Sequence, residues 1–241
     1  MNGELLEKGY DEAYGKYRDH TVLRAYTTSD KVVGFCEEAK KYGAAAVCVN
    51  PIHVALVKKN LAGTGIRTAA VIGFPLGANR PETKAFEAKL AAEDGADEAD
   101  MVINIGALRE GNDALVLSDI RGVVDAVRGK AIVKVIIETC YLDDSEKLRA
   151  CRLSEEAGAA FVKTSTGMGT GGATVHDIQL MRAAVGGRMG VKASGGINDR
   201  ETAYAMIRAG ASRLGCSRLP QIVSDDTPIV SVSKTNQPPC Y

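Results

Sequence analysis

The chain alternates short apolar runs with longer helical segments from residue 20 to residue 215. Strands that alternate with helices predict a parallel sheet built from right-handed βαβ units. Glycines separate helical segments from the apolar runs that follow them, at Gly43, Gly95, Gly158 and Gly210. Eight such strands fit a closed (β/α)8 TIM barrel better than an open sheet, and 241 residues are enough for one barrel as a single domain.

The pattern also gives approximate element boundaries. We predict strands over residues 20–23, 44–50, 67–73, 98–103, 131–137, 160–164, 190–193 and 213–215. The predicted helices cover residues 29–42, 51–61, 82–94, 113–128, 144–157, 174–184 and 199–209. Thr174 is expected to cap its helix, with Asp177 at the third position as an acidic variant of the capping box.

The two ends of the chain depart from the alternation. Residues 1–18 are expected to form a polar leader with one short helix, and residues 19–222 the barrel. Residues 223–241 have no helical period and contain Pro228, Pro238 and Pro239. We therefore expect an atypical last helix and a flexible tail.

Composition excludes several classes of function. Lys+Arg and Asp+Glu are both 30, Trp is absent and aromatics make up 5%, which gives no basic patch or stacking platform for nucleic acid. No apolar run approaches the ~18 residues of a membrane span, and the charged N-terminus is unlike a signal peptide. The six cysteines form no CxxC pair, so we expect no metal site, reduced thiols and a cytoplasmic location.

Charged residues interrupt the apolar strands. Asp100 lies in the fourth predicted strand, Lys163 closes the sixth and Lys192 lies in the seventh. Lysine is rarely buried unless it is paired or used, and catalytic groups of such barrels lie at the carboxyl ends of strands. Taken singly, each is equally a paired or rim charge. Lys134 in the fifth strand is a further inward candidate or a partner for Asp100.

Two lysines on neighbouring strands favour a nucleophilic amine. A lysine with the ordinary pKa of about 10.4 holds little free amine at pH 7. A second cation and partial burial both lower that pKa. Lys192 would act in this way on Lys163, which would form a Schiff base with a carbonyl substrate while Asp100 transfers protons.

Glycine-rich segments follow the late strands, at residues 166–172, 194–196 and 215–217. Backbone N–H groups of such turns bind phosphate, and phosphate sites after strands seven and eight are common in these barrels. The alternative is that they are ordinary turn glycines. No G-x-G-x-x-G follows the first strand, so a dinucleotide site is not supported.

Other polar residues carry weaker signals. Asp19 and His20 belong either to a proton relay or to a structural hydrogen bond. His53 and His176 lie in predicted helices and are expected at the surface. Two further residues are candidates for the inner wall or the rim, with no role assigned: Cys48 and Glu138.

Several motifs together resemble the deoxyribose-phosphate aldolase family of class I aldolases. They are residues 161–167 (FVKTSTG), 191–197 (VKASGGI) and 98–108 (EADMVINIGAL), with further likeness at 135–139 (VIIET) and 71–77 (VIGFPLG). The likeness runs from about Asp19 to Ser217. It implies reversible cleavage of 2-deoxy-D-ribose 5-phosphate to D-glyceraldehyde 3-phosphate and acetaldehyde, without a metal or organic cofactor, in a homo-oligomer for which a dimer is favoured.

The resemblance also implies roles for single residues. Lys163 resembles the Schiff-base lysine, Lys192 the lysine that tunes it, and Asp100 the proton shuttle. Asp19 resembles a second relay acid. The positions that resemble substrate- and phosphate-binding residues are Thr164, Gly167, Gly195, Gly196 and Ser217.

The chain departs from the family pattern in three places. Residues 22–25 read VLRA where the family commonly has Leu-Leu-Lys-Pro, and Met168 replaces a usual Phe or Lys. Arg218 stands in the last phosphate loop, where it either supplies charge to the phosphate or blocks the pocket. Tyr241 ends the chain, and in some members a terminal tyrosine folds over the site.

Two other functions stay open on the residues alone. A phosphosugar isomerase or epimerase on the same barrel would use a carboxylate or histidine base rather than a lysine pair. A non-catalytic phosphosugar-binding barrel would fit the altered last loop and tail.

Overall fold

The strands close into a parallel barrel in a computed structural model that describes residues 16–223. They are β1 (Arg18–Val22), β2 (Ala46–Val49), β3 (Arg67–Ile72), β4 (Glu98–Val102), β5 (Ile132–Ile136), β6 (Phe161–Lys163), β7 (Gly190–Ser194) and β8 (Arg213–Cys216). Neighbours in the chain pair with each other, and β8 pairs with β1. The predicted TIM barrel is therefore confirmed.

The helices surround the strands. They are α1 (Ser29–Lys41), α2 (Val54–Asn60), α3 (Pro81–Glu93), α4 (Ile105–Arg109), α5 (Asp113–Ala126), α6 (Asp144–Glu156), α7 (Val175–Val185), α8 (Arg200–Arg208) and α9 (Leu219–Val223). Two 3-10 turns lie at Pro51–His53 and Thr139–Tyr141. No helix in the described segment combines the length and apolarity that crossing a bilayer requires.

Element boundaries differ from the predictions at a few points. β1 begins at Arg18 rather than His20, since Arg18 pairs with Leu214 of β8. The helix predicted over residues 51–61 begins as a 3-10 turn, and α4 was not predicted. The leader was predicted over residues 1–18 and the tail over residues 223–241, of which 1–15 and 224–241 lie outside the described residues. Of the remainder, Arg18 belongs to β1 and Val223 to the five-residue helix α9.

Side-chain caps fix several helix starts. Thr174 caps α7 as predicted, because its Oγ1 accepts the Asp177 N–H at 3.0 Å. The Asp177 carboxylate instead pairs with Lys147 of α6 at 2.7 Å. A complete capping box occurs at α6, where Asp143 and Glu146 bond to each other's backbone N–H groups.

The two faces of the strands have different environments. Outward-facing residues such as Val47, Met101 and Val162 pack against the helices in the main hydrophobic core. The inward face is apolar on β2 and β3, with Ala46, Cys48, Ala69 and Val71. Each of the remaining strands places at least one charged residue on the inward face, and these residues mark the position of the site.

One buried ion pair joins two outer helices. Lys84 Nζ of α3 donates to Asp119 Oδ2 of α5 at 2.6 Å and to the Val102 carbonyl at the end of β4 at 2.8 Å. Both charged side chains have no exposed surface. Burial lowers the pKa of Lys84 and raises that of Asp119. The pair therefore anchors α3 and α5 to the carboxyl end of β4.

Candidate active site

The register of the strands brings the predicted charged residues together inside the barrel. Lys134 of β5 is the register partner of Asp100 of β4, and Lys163 of β6 is the partner of Lys192 of β7. Lys192 is in turn the partner of Arg213 of β8. Because alternate residues of a strand face the same side, all five side chains enter the barrel.

Asp100 lies at the centre of this group. Its Oδ2 accepts hydrogen bonds from Lys163 Nζ at 2.8 Å and from Lys192 Nζ at 2.7 Å. Its Oδ1 accepts from Lys134 Nζ at 2.8 Å. One carboxylate thus holds three lysine amino groups within hydrogen-bond distance.

Asp19 forms a second centre beside Asp100. It accepts from Lys134 Nζ at 3.1 Å and from Arg213 Nη1 at 2.7 Å, and it also bonds to Lys192. The predicted relay acid therefore lies in the same network as the predicted lysines. His20, the adjacent candidate, faces outward, where it bonds to Glu38 of α1 at 2.6 Å and stacks on Phe35.

Sequence reasoning missed two members of the network. Glu98 of β4 bonds to Lys134 and lies 3.5 Å from Arg213 and 3.1 Å from Arg67. Glu98 and Arg213 each stand at the first position of a strand, where charged residues are common. The available signal for Glu98 was its spacing of two residues from Asp100, which puts both on the inward face. Arg213 is the only charged residue of β8 and had no comparable signal.

The network raises the pKa of two of its lysines and leaves that of the third lowered. Burial lowers the pKa of Lys192, but Asp100 and Asp19 outweigh it and raise that pKa above its ordinary value. Burial likewise opposes the charge of Lys134, and the carboxylates hold its pKa well above the ordinary range. Burial raises the pKa of Asp100, but the lysines hold it well below its usual value. These groups therefore stay charged near neutral pH.

Lys163 behaves differently. Burial lowers its pKa and Lys192 repels its charge, and together they outweigh the attraction of Asp100. Its side chain is 4% exposed at the carboxyl end of β6, while Lys192 and Asp100 have no exposed surface. Among these lysines, Lys163 combines access from the strand ends with a pKa shifted towards the neutral amine.

Glycine turns after β6 and β7 meet at the same end of the barrel. Gly167, Gly195 and Gly196 all have left-handed φ, at 80°, 80° and 77°. A Cβ on Gly195 would lie 3.4 Å from Gly167 Cα and 3.0 Å from Gly172 Cα, so the backbones approach closely. Within residues 16–223, the N–H groups of Gly167, Gly195 and Gly196 donate to no protein acceptor. Three donors are thus free for an anionic ligand.

Other predicted positions have distinct surroundings. The Thr164 hydroxyl donates to the Ser194 carbonyl at 3.1 Å and accepts the Ser194 N–H at 3.1 Å. The two bonds connect β6 to β7. Ser217 and Arg218 follow β8 and are exposed. Exposure of His176 was correctly predicted, with its side chain 64% exposed.

Glu138, at the end of β5, lies against the first of these glycine turns. Its carboxylate accepts the Thr166 hydroxyl at 2.5 Å and the Thr166 N–H at 3.2 Å. Burial raises the pKa of Glu138, and the Thr166 donors act against that rise. Cys48 faces the interior, and burial raises its thiol pKa to about 11.

The opposite mouth of the barrel has two open grooves of about 630 and 620 Å³. Arg67 lines both, and Lys58 lines the larger one. Both cations already have partners, Lys58 with Asp97 at 2.7 Å and Arg67 with Glu98 at 3.1 Å. We locate the candidate site at the carboxyl end, because Lys163, whose side chain is 4% exposed, lies there with the N–H groups of Gly167, Gly195 and Gly196, which are unbonded within the described residues. Across residues 16–223, no cluster of three His, Cys, Asp or Glu side chains could hold a metal ion.

Comparison with known proteins identifies the family. Residues 15–218 match the model of the DeoC/LacD family aldolases. A deoxyribose-phosphate aldolase from a Geobacillus species is 59% identical over 212 residues, which covers 88% of this chain and 95% of that protein. One from Alkaliphilus oremlandii is 56% identical over 211 residues, with the same coverage of both chains.

Solved structures agree with the sequence matches. A crystal structure described as a putative deoxyribose-phosphate aldolase from Coccidioides immitis is 42% identical, with a TM-score of 0.86 over 88% of this chain and 85% of that chain. The tetrameric deoxyribose phosphate aldolase from Aeropyrum pernix is 32% identical, with a TM-score of 0.84 over 91% of this chain and 93% of that chain. The predicted aldolase class is confirmed: this chain belongs to the DeoC/LacD family of aldolases.

Proposed function

We propose that the protein reversibly cleaves 2-deoxy-D-ribose 5-phosphate to D-glyceraldehyde 3-phosphate and acetaldehyde through a Schiff base on Lys163. The observation that carries the proposal is the Lys163 amine at the carboxyl end of β6, whose pKa is lowered by burial and by Lys192. Relatives named deoxyribose-phosphate aldolase, at 55–59% identity, support the substrate.

The reaction follows from an amine nucleophile and a proton carrier. The Lys163 amine adds to the C1 aldehyde of the open-chain sugar, and loss of water gives a protonated imine. Removal of the C3 hydroxyl proton breaks the C2–C3 bond, since the imine accepts the electron pair as an enamine. D-Glyceraldehyde 3-phosphate leaves, C2 is protonated, and hydrolysis releases acetaldehyde and restores the amine.

Asp100 is the proposed proton shuttle because its Oδ2 is 2.8 Å from Lys163 Nζ. Lys192 supplies a positive charge that adds to burial in lowering the Lys163 pKa, and it shares the same oxygen at 2.7 Å. Asp19 is the proposed second relay acid, in contact with Lys192 and Lys134. A carboxylate between an amine and an ammonium group can exchange protons with either one.

The substrate phosphate is proposed to bind at the glycine turns. The free N–H groups of Gly167, Gly195 and Gly196 supply donors, and the exposed Ser217 and Arg218 follow the adjacent strand β8. Arg218 would then add charge to the phosphate site rather than block it. Thr164 positions the β6 turn through its two bonds to Ser194.

Trapping of the imine tests the mechanism. Acetaldehyde and borohydride should add one ethyl group to wild-type protein, and peptide mass spectrometry should locate it on Lys163. Lys163→Leu should give no adduct and no cleavage of deoxyribose 5-phosphate while keeping its circular dichroism spectrum. Lys130→Leu, which removes an exposed lysine, is the matched control. Wild-type protein that acquires no mass at Lys163 would refute the Schiff base.

We further propose a cytoplasmic homo-oligomer, with a dimer favoured. Free thiols at five cysteines suit a reducing compartment: Cys36, Cys48, Cys140, Cys151 and Cys216. The tetramer of the Aeropyrum pernix relative makes a tetramer the competing state. Size-exclusion chromatography with light scattering separates a mass of two chains from one or four.

A further inference from the structure

Glu138 has a backbone conformation that residues with side chains rarely adopt. Its φ is 54°, the one positive φ on a non-glycine residue among residues 16–223. The residue is 2% exposed and directly follows the barrel wall at β5. Such a conformation persists only where surrounding contacts hold it, so the contacts of its carboxylate indicate its role.

Those contacts lead to the turn after β6. The Thr166 hydroxyl donates to Glu138 Oε2 at 2.5 Å, and the Thr166 N–H donates to the same oxygen at 3.2 Å. The next residue, Thr139, donates its N–H to the Thr164 carbonyl at 2.9 Å. Two adjacent residues after β5 therefore hold both ends of the segment from Thr164 to Thr166.

The connection continues to Gly167. Thr166 Oγ1 accepts the Met168 N–H at 3.0 Å, so the bonds of one hydroxyl close the turn on both sides of Gly167. A Cβ on Gly169 would lie 3.3 Å from Glu138 Cδ, which leaves the loop little room to shift. Glu138 thus fixes the position of a free N–H group in the glycine site.

We propose that Glu138 is a positioning residue for phosphate recognition. It holds the turn through Gly167 in the shape that receives the phosphate group, and it takes no part in the amine chemistry of Lys163. This inference rests on the proposed function, because it assigns a determinant for the phosphate end of that substrate.

The substitution Glu138→Gln separates a role in phosphate recognition from a role in the amine chemistry of Lys163. The amide has nearly the same size but is uncharged and turns an NH2 group towards Thr166 in place of one carboxylate oxygen. It therefore weakens the charge-assisted bonds, and it loses either the Thr166 N–H contact to Oε1 at 3.3 Å or both bonds to Oε2. We expect kcat/KM for deoxyribose 5-phosphate to fall about ten- to a hundredfold, mainly through KM, since a misplacement of about 1 Å can cost ~100-fold. For deoxyribose without phosphate, kcat/KM should stay at the wild-type value.

Thr166→Val tests the connection itself. It removes the hydroxyl that Glu138 accepts, and we expect the same selective loss on the phosphorylated sugar. Combined with Glu138→Gln it should cost little more than either change alone, because both remove one interaction. Glu110→Gln, an exposed glutamate at the end of α4, is the control and should behave as wild type.

Two readouts do not depend on turnover. Calorimetric titration with inorganic phosphate should show weaker binding to Glu138→Gln, by a factor similar to the change in KM. Trapping of acetaldehyde at Lys163 by borohydride should proceed at the wild-type rate. Unchanged phosphate binding, equal losses on both sugars or slower trapping would each overturn the proposal. Wild-type protein that fails to cleave deoxyribose 5-phosphate refutes the proposed function instead, and the phosphate titration still decides the role of Glu138.

Discussion

Three buried carboxylates, on Asp19, Glu98 and Asp100, face three cations beneath Lys163: the fully buried Lys134 and Lys192, and Arg213, whose side chain is 11% exposed. These charges balance when the Lys163 amine is neutral. Arg67, which also contacts Glu98, is half exposed, so solvent screens its charge. A charged Lys163 adds an unmatched cation to a region of low dielectric constant, which is unfavourable. The lowered pKa of Lys163 therefore follows from the charge count as well as from its own burial.

The charge balance predicts that two similar substitutions change the free energy of unfolding by different amounts. Lys134→Met leaves three carboxylates with two cations and should cost about 3–5 kcal/mol of unfolding free energy, as for other broken buried pairs. Lys163→Met preserves the neutral count and should change stability by less than ~1.5 kcal/mol. Urea unfolding followed by circular dichroism compares them, and equal losses would contradict the charge count.

Lys192 should set the pH below which imine formation slows, which is the acid limb of the pH–rate profile. The amine must be neutral to react, so the trapping rate falls as the pH drops through the Lys163 pKa. Lys192→Met removes a repelling cation, which raises the Lys163 pKa and moves the limb to higher pH, with about tenfold less free amine for each pH unit that the limb moves. Lys192→Arg keeps the charge and should leave the limb near its wild-type position. The pH profile of borohydride trapping is the measurement, and a limb that stays or moves down after Lys192→Met would refute the assigned role.

The sequence reveals some of these residues more readily than others. Lys163 and Lys192 stand out because a lysine inside an apolar strand demands a partner or a use. Glu98 and Arg213 do not, since a charge at the start of a strand is ordinary. The left-handed conformation of Glu138 has no local signal, because tertiary contacts with Thr166 impose it.

At the scale of elements, apolar runs predict the strands well because both of their faces are buried. Helix α4 was missed because its five residues from Ile105 to Arg109 are too few to show a period. The capping box expected at α7 is only half formed, since Asp177 pairs with Lys147 on the neighbouring helix. Local pattern thus finds an element, while contacts between elements decide its details.

The Lys84–Asp119 pair should stabilise the packing of α3 on α5. Lys84→Met leaves a buried carboxylate without its partner and should cost about 3–5 kcal/mol. Adding Asp119→Asn removes that charge and should recover part of the loss. Lys89→Met, in an exposed pair on α3, should have little effect. Urea unfolding measures all three, and a Lys84→Met protein as stable as wild type would contradict this role.

At the scale of the whole molecule, we propose that residues 19–222 form an independent folding unit. The barrel closes through β1 and β8, and its boundary elements are Arg18–Val22 and Leu219–Val223. A chain trimmed to residues 16–223 should unfold in one cooperative transition and still trap acetaldehyde at Lys163. Calorimetry and mass spectrometry test this, and a trimmed chain without a cooperative transition would show that the ends belong to the folding unit.

The packed interior beneath Lys163 bears on the order in which substrates bind and products leave. The Lys163 side chain is 4% exposed, whereas Asp100, Lys134 and Lys192 below it have no exposed surface, so the described part of the barrel interior is filled beneath Lys163. In the proposed reaction, the two-carbon fragment on Lys163 would occupy the innermost place, with the phosphorylated fragment between it and the strand ends. Glyceraldehyde 3-phosphate would then depart before acetaldehyde, and in the synthetic direction acetaldehyde would arrive first.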